Sequence, residues 1–197
     1  MSDEKVLTKE IAEQFLTGED PVVLDEFTAI EDGAAESIGK LEGNLYLDGL
    51  TELSDAAAES LGKIEVYKEN EDQDMYTIHG ERLHLNGLSE LSDAAAESLS
   101  KHKGIHLVLG LTSLSDAAAE SLSKYSGNLY LSGLTELSDA AAASLSKHEH
   151  GGLFLGGLTQ VSDAATKHLA KHAFISFNLD ELPASAAKIL RDAGHGE

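Results

Sequence analysis

One short unit, repeated, constrains this chain more than any other feature. Leu129 to Lys147 reads LYLSGLTELSDAAAASLSK, and near-twins begin at Leu45, Leu83 and Leu153. A shorter-stranded copy starts at Leu107, and worn copies open at Val22 and Ile175. Aligned on one recurrent acid, Asp32, Asp55, Asp93, Asp116, Asp139 and Asp163 are equivalent, spaced by 23, 38, 23, 23 and 24 residues. Self-similarity at so short a period marks a solenoid, in which each unit hides its apolar face on the next. The spacing of 38 is one period plus a 15-residue insertion.

Each unit carries its own local signals. Leu45-Tyr46-Leu47 alternates as a short strand does. A glycine follows at Gly49, Gly87, Gly110, Gly133 and Gly157. Its recurrence predicts a backbone conformation, or an approach between coils, that a Cβ would hinder. Leu50 and Leu53 then point inward ahead of Ser54-Asp55, a helix N-cap signal before an Ala run. Glu36/Lys40, Glu59/Lys63, Glu97/Lys101 and Glu120/Lys124 stand at i, i+4 in the favourable order and mark an outward helix face. Ala57, Ala58 and Leu61 must then face the sheet. Successive strands run one way, so the sheet is parallel.

The pattern LxLxGLxxLSDxAAxxL resembles the leucine-rich repeat, most closely the cysteine-containing class written LxLxxCxxITDxGLxxL. Leu50 takes the Cys place, Leu53 the Ile, Ser54-Asp55 the Thr-Asp and Ala57-Ala58 the Gly-Leu. The variant LSDAAAESLSK is also similar to repeats common in planctomycete-type bacterial proteins. The likeness spans roughly Val22 to Leu190. It departs from the class in its shorter units and in Glu42, which stands where a leading Leu is expected. The resemblance implies a right-handed α/β leucine-rich repeat solenoid, with a parallel sheet on the concave face, short helices on the convex face and a cap at each end. It implies no F-box role, and a catalytic-Cys ligase needs a residue this chain lacks.

The expected organisation is one domain over 1–197. A capping helix fills 1–21, with Thr8 as N-cap of a strandless first unit. Repeats occupy 22–63 and 82–172, and a terminal cap unit occupies 173–197, where Pro183-Ala184 replaces Ser-Asp and the last four residues fray. The insertion, 64–81, reads as a hairpin: Ile64 to Tyr67 and Met75 to Ile78 are β-prone and flank a polar turn. It is either a tolerated excursion or a source of contacts through Tyr67, Met75 and Tyr76.

Charge narrows the partners. The formal net charge is −21, with 14 Lys and Arg against 35 Asp and Glu. Nucleic acid and anionic membrane surfaces are disfavoured, because affinity for either rests on basic residues. A basic protein or peptide would be drawn in, although acidity also keeps a Leu-rich solenoid soluble. With no Cys, disulfides and thiolate metal sites are excluded. The charged opening MSDEKVLTKEIAEQF lacks the apolar core of a signal peptide, and no apolar run reaches spanning length, so a cytoplasmic protein is expected.

The candidate site is the outward ladder of the strands: Val23, Tyr46, His84, Val108, Tyr130, Phe154 and Ser176. The resemblance implies docking on this face. Independently, aromatic residues facing water anchor interfaces. Flanking columns, Asn44, Arg82, His106, Asn128 and Asp48, Asn86, Ser132, would form a polar rim. Cross-strand pairing could equally be the only role of the rings, or the face could serve self-association.

Chemistry is not expected. His148/His150 and His168/His172 have chelating spacing, but a His near a helix C-terminus has a structural reason to be there. Glu71 to Asp74 lacks the alternation and Gly of a calcium loop. Gly33 to Lys40 resembles a P-loop only superficially, with one residue too many between its glycines and Leu41 after the Lys. No cofactor, metal or catalytic residue is assigned. The expectation is a non-catalytic protein- or peptide-binding scaffold, the alternative a structural, self-assembling module.

Overall fold

A computed structural model describes residues 5–18, 22–41, 43–64 and 82–195. Strand and helix alternate: β1 (Val6–Leu7), α1 (Lys9–Thr17), β2 (Ala29–Ile30), α2 (Asp32–Ile38), β3 (Leu45–Tyr46), α3 (Asp55–Leu61), β4 (Arg82–Leu85), α4 (Asp93–Leu99), β5 (His106–Leu109), α5 (Asp116–Leu122), β6 (Asn128–Tyr130), α6 (Asp139–Leu145), β7 (Leu153–Phe154), α7 (Asp163–Leu169), β8 (Ile175–Ser176) and α8 (Ala184–Asp192). Strands β3 to β8 form one six-stranded parallel sheet in chain order, in which each strand pairs only with its sequence neighbours. The molecule is a repeat solenoid. The shared register is the period made visible: Leu45, Leu83, Leu107, Leu129, Leu153 and Ile175 lie side by side.

The core is a stack of leucine layers backed by alanine. In the coil from β3 to α3, Leu45, Leu47, Leu50, Ala57, Ala58 and Leu61 are buried, and the equivalent residues are buried in every following coil up to α7, where Thr166 takes an Ala place. Small residues on the inner side of α3 to α7 keep these two-turn helices close to the sheet. Helices of seven residues are too short to persist alone. They are held by their caps and by the helices beside them, since each of Ser54, Ser92, Ser115, Ser138 and Ser162 accepts the N–H of the third residue beyond it. The outward Glu–Lys pairs form as expected, from 2.7 Å at Lys63–Glu59 to 3.7 Å at Lys124–Glu120.

The recurrent glycine is a matter of close approach. A Cβ on Gly110 would lie 1.8 Å from the carbonyl oxygen of Asn86, in the coil before it. Gly49 meets Asp25 in the same way, at 2.2 Å.

Three sequence expectations change. The first unit is not strandless: β1 pairs in parallel with β2, Val6 with Ala29 and Leu7 with Ile30. This pairing sits at the segment leading into the helix, and the same seam continues as Thr51 N–H to Thr28 O, Thr112 N–H to Ser89 O and a bridge between Glu136 and Gln160. Val23 is not a strand residue. It immediately precedes a short 3-10 turn, Leu24–Glu26, and is 57% exposed outside the sheet. Leu24 turns inward instead, and a 3-10 turn cannot continue a parallel ladder, so the sheet begins at β3. At the far end Gly194 and His195 do not fray: His195 N–H donates to Leu190 O, and its Nε2 lies 3.0 Å from Ala170 O. The inserted hairpin, with Tyr67, Met75 and Tyr76, lies outside the described residues, whereas Ile64 at its base is buried.

Candidate functional site

Helices cover one side of the main sheet, and no described helix lies over the other side. Alternation along β3 to β8 turns the leucines to the helices and leaves Tyr46, His84, Val108, Tyr130, Phe154 and Ser176 on the open side, in register. Parallel sheets are ordinarily covered on both faces. A bare one carrying aromatic rings is the feature of this molecule that most resembles a docking surface.

The rings form two groups. Tyr130 and Phe154 stack with centroids 4.1 Å apart and planes 5° from parallel, and His106 lies over the other side of Tyr130 at 5.3 Å and 14°. Tyr46 and His84 meet at 4.6 Å with planes tilted by 50°. Tyr46 is 40% exposed, and the other rings are half-buried by one another. The rings therefore do have an intrachain role, as cross-strand pairs. Beyond Phe154 the register partner is Ser176, so the stack stops there. Burial pushes the His106 imidazole below its ordinary pKa, helped by the nearby charge of Arg82 and by His84.

Much of the polar rim is engaged with the next strand. Asn44 Oδ1 accepts Arg82 N–H at 3.1 Å, and Asn128 Oδ1 accepts Gly152 N–H at 2.7 Å, each extending the ladder beyond the strand. Asp48 Oδ1 accepts both the backbone and the side-chain N–H of Asn86 at 2.9 Å, with its other oxygen 3.9 Å from His84 Nδ1. Arg82, Asn86 and Ser132 are exposed on the flanks.

The residue-by-residue reading missed Phe174. It is 73% exposed, the most exposed large apolar side chain among the described residues, and it continues the column of His106, Asn128 and Gly152. Aligning the position before each strand would have found it.

The histidines with chelating spacing separate. His172 is buried while His168 is half-exposed, and His148 is buried while His150 is exposed. Among the described residues no group of three or more His, Asp or Glu side chains converges as a metal site. No described helix is long and apolar enough to cross a membrane.

No family model matches the chain, and no curated protein matches it.

Proposed function

We propose that this chain is a leucine-rich-repeat-like, non-catalytic scaffold that holds a protein or peptide on the open face of its sheet. The observation that carries the reading is the parallel sheet face that no described helix covers, with Tyr46, Tyr130 and Phe154 aligned along it. Large rings on rigid strands lose little conformational freedom when a partner covers them. The charge of −21 favours a basic partner and speeds its arrival.

Selection of displayed random peptides on the immobilised protein tests this. Valine already occupies the ladder at 108, so Tyr130→Val with Phe154→Val keeps a strand residue in place. The expected result is a Lys- and Arg-rich set of peptides that bind the native chain and lose at least tenfold in affinity for the double variant. Selected peptides that bind both proteins equally would overturn the assignment of the site.

Self-assembly is the second reading, supported by the outer edge of β8, which has no described strand beside it, and by Phe174 next to that edge. An exposed strand edge is a template for another chain. Light scattering separates the two readings: a mass independent of concentration argues against assembly.

A further inference from the structure

Behind the sheet, where each helix turns back towards the next strand, one position per coil forms a column that is half-buried at its first member and buried from the second onward. It is Leu41, Ile64, His102, Tyr125, His148 and His172 in successive coils. The first two are apolar, and the last four are ring residues stacked on one another. Tyr125 has His102 on one side and His148 on the other, each with centroids 6.3 Å away and planes within 7°, and His172 follows at 5.6 Å. All four rings are nearly inaccessible to solvent. Tyr125 is satisfied, its hydroxyl donating to Gly104 O at 2.6 Å. The histidines are not: both ring nitrogens of His102, both of His148 and Nε2 of His172 are buried without a hydrogen-bond partner. Only His172 Nδ1 is engaged, accepting Phe174 N–H at 3.1 Å.

We propose that this column is an acid-release device: protonation of His102, His148 and His172 parts the C-terminal coils from the apolar N-terminal ones. A buried imidazolium needs acceptors or a counter-charge; the described residues of the column supply no counter-charge, and the backbone groups near His148 and His172 outweigh burial at neither ring. His102 faces the neutral Tyr125 ring, and the neighbouring Lys101 and Lys103 are exposed cations. His148 lies between Tyr125 and His172, with His150 the charged group acting on it, while backbone groups of Ser123, Gly127 and Tyr125 near the ring partly offset its burial. His172 is opposed by His148 and His195. Among the described residues no carboxylate acts appreciably on any of the three.

The sign follows from linkage. Unfolded imidazoles take up a proton below their ordinary pKa of 6.5, whereas burial holds His102 down to about 4 and keeps His148 and His172 below the ordinary value. The closed coils keep their full stability above 6.5. They lose it as pH falls from 6.5 towards the folded pKa, because only the opened state binds the proton. At pH 5 His102 alone raises the opening equilibrium about 30-fold, and the other two add to it. In a solenoid each coil is held mainly by its neighbours, so the affected end can open while the rest stays closed. That a partner leaves with the opened face rests on the docking reading; the opening itself does not.

Hydrogen exchange of the full chain at pH 7.5 and pH 5, corrected for intrinsic rates, tests the device without a partner. Protection in α5 to α7 is expected to fall at least 30-fold at pH 5 while α2 and α3 change little. His102→Leu, His148→Leu and His172→Leu together should abolish the difference, since Leu41 already fills the column upstream. Equal protection at the two pH values, or the same loss in the triple variant, overturns the proposal. NMR titration of the native imidazoles decides the matter if that variant does not fold. Onset of opening together with protonation of the three buried rings is the expected result. Titration of those rings near 6.5 with protection intact refutes it.

Discussion

Ser92 binds the carboxylate of Asp55, one coil upstream, through its hydroxyl hydrogen, while its oxygen accepts Ala95 N–H at 3.0 Å. One hydroxyl thus caps its own helix and ties it to the helix before. The bond recurs from Ser54 to Asp32, Ser115 to Asp93, Ser138 to Asp116 and Ser162 to Asp139. The ladder ends at Asp163, because Pro183 occupies the capping place of α8 and has no hydroxyl to donate.

Breaking one rung should therefore cost more than losing a cap. Ser115→Ala is expected to destabilise the protein by about 1–2 kcal/mol. Asp93→Ala should cost nearly as much. In a double-mutant cycle the pair should show coupling of about 0.5–1.5 kcal/mol, discounted for exposure. Asp163→Ala, which removes a similar helix-terminal charge but no rung, should cost only about 0.5 kcal/mol. Urea unfolding of the four variants measures all of these, and zero coupling would refute the rung.

Glycine 110 is held to its size by the coil before it. Gly110→Ala places a Cβ on the Asn86 carbonyl, and the coils must separate to admit it. A loss of about 3 kcal/mol or more is expected. Gly156→Ala, whose Cβ would have Ser132 Oγ at 3.9 Å as its nearest neighbour, should change the melting temperature little. Equal effects at the two positions would show that close approach is not the reason for the recurrent glycine.

Unsatisfied nitrogens in the histidine column should be removable with profit. At pH 7.5, His102→Leu is expected to stabilise the chain by about 1–3 kcal/mol, since two orphaned polar atoms are replaced by the kind of side chain found at 41. Tyr125→Phe should do the opposite. It strips Gly104 O of its donor at a buried site and should lower stability by about 1–2 kcal/mol. A destabilised His102→Leu protein would mean that the ring meets a polar need of the core.

Stacking in the ladder alters an expectation about the face itself. If Tyr130 and Phe154 only faced water, replacing both by Ala would leave stability untouched. Because they stack at 4.1 Å, Tyr130→Ala with Phe154→Ala should cost about 1–2 kcal/mol in thermal unfolding even with no partner present. An unchanged melting temperature would mean that the stack contributes nothing to the sheet.

The amino-acid order alone determined the solenoid, its register and its core. A leucine at each strand and an alanine pair in each helix, returning every 23 residues or so, can all be hidden only if each coil lies beside the next. It also determined the helix starts, because a cap acts within three residues of itself. Lateral stacking decided the rest. Ser92 and Asp55 are 37 residues apart, and nothing local distinguishes a serine that only caps from one that also reaches across coils. Val23 matched the strand pattern by position, yet Leu24 turned inward and the first strand pair formed at Leu7 and Ile30 instead. His148 and His172 have a local reason to stand near a helix end, and stacking carried them, with His102, into the interior. Each of these outcomes depends on what the adjacent coil places within a few ångströms, which periodicity implies only as an average.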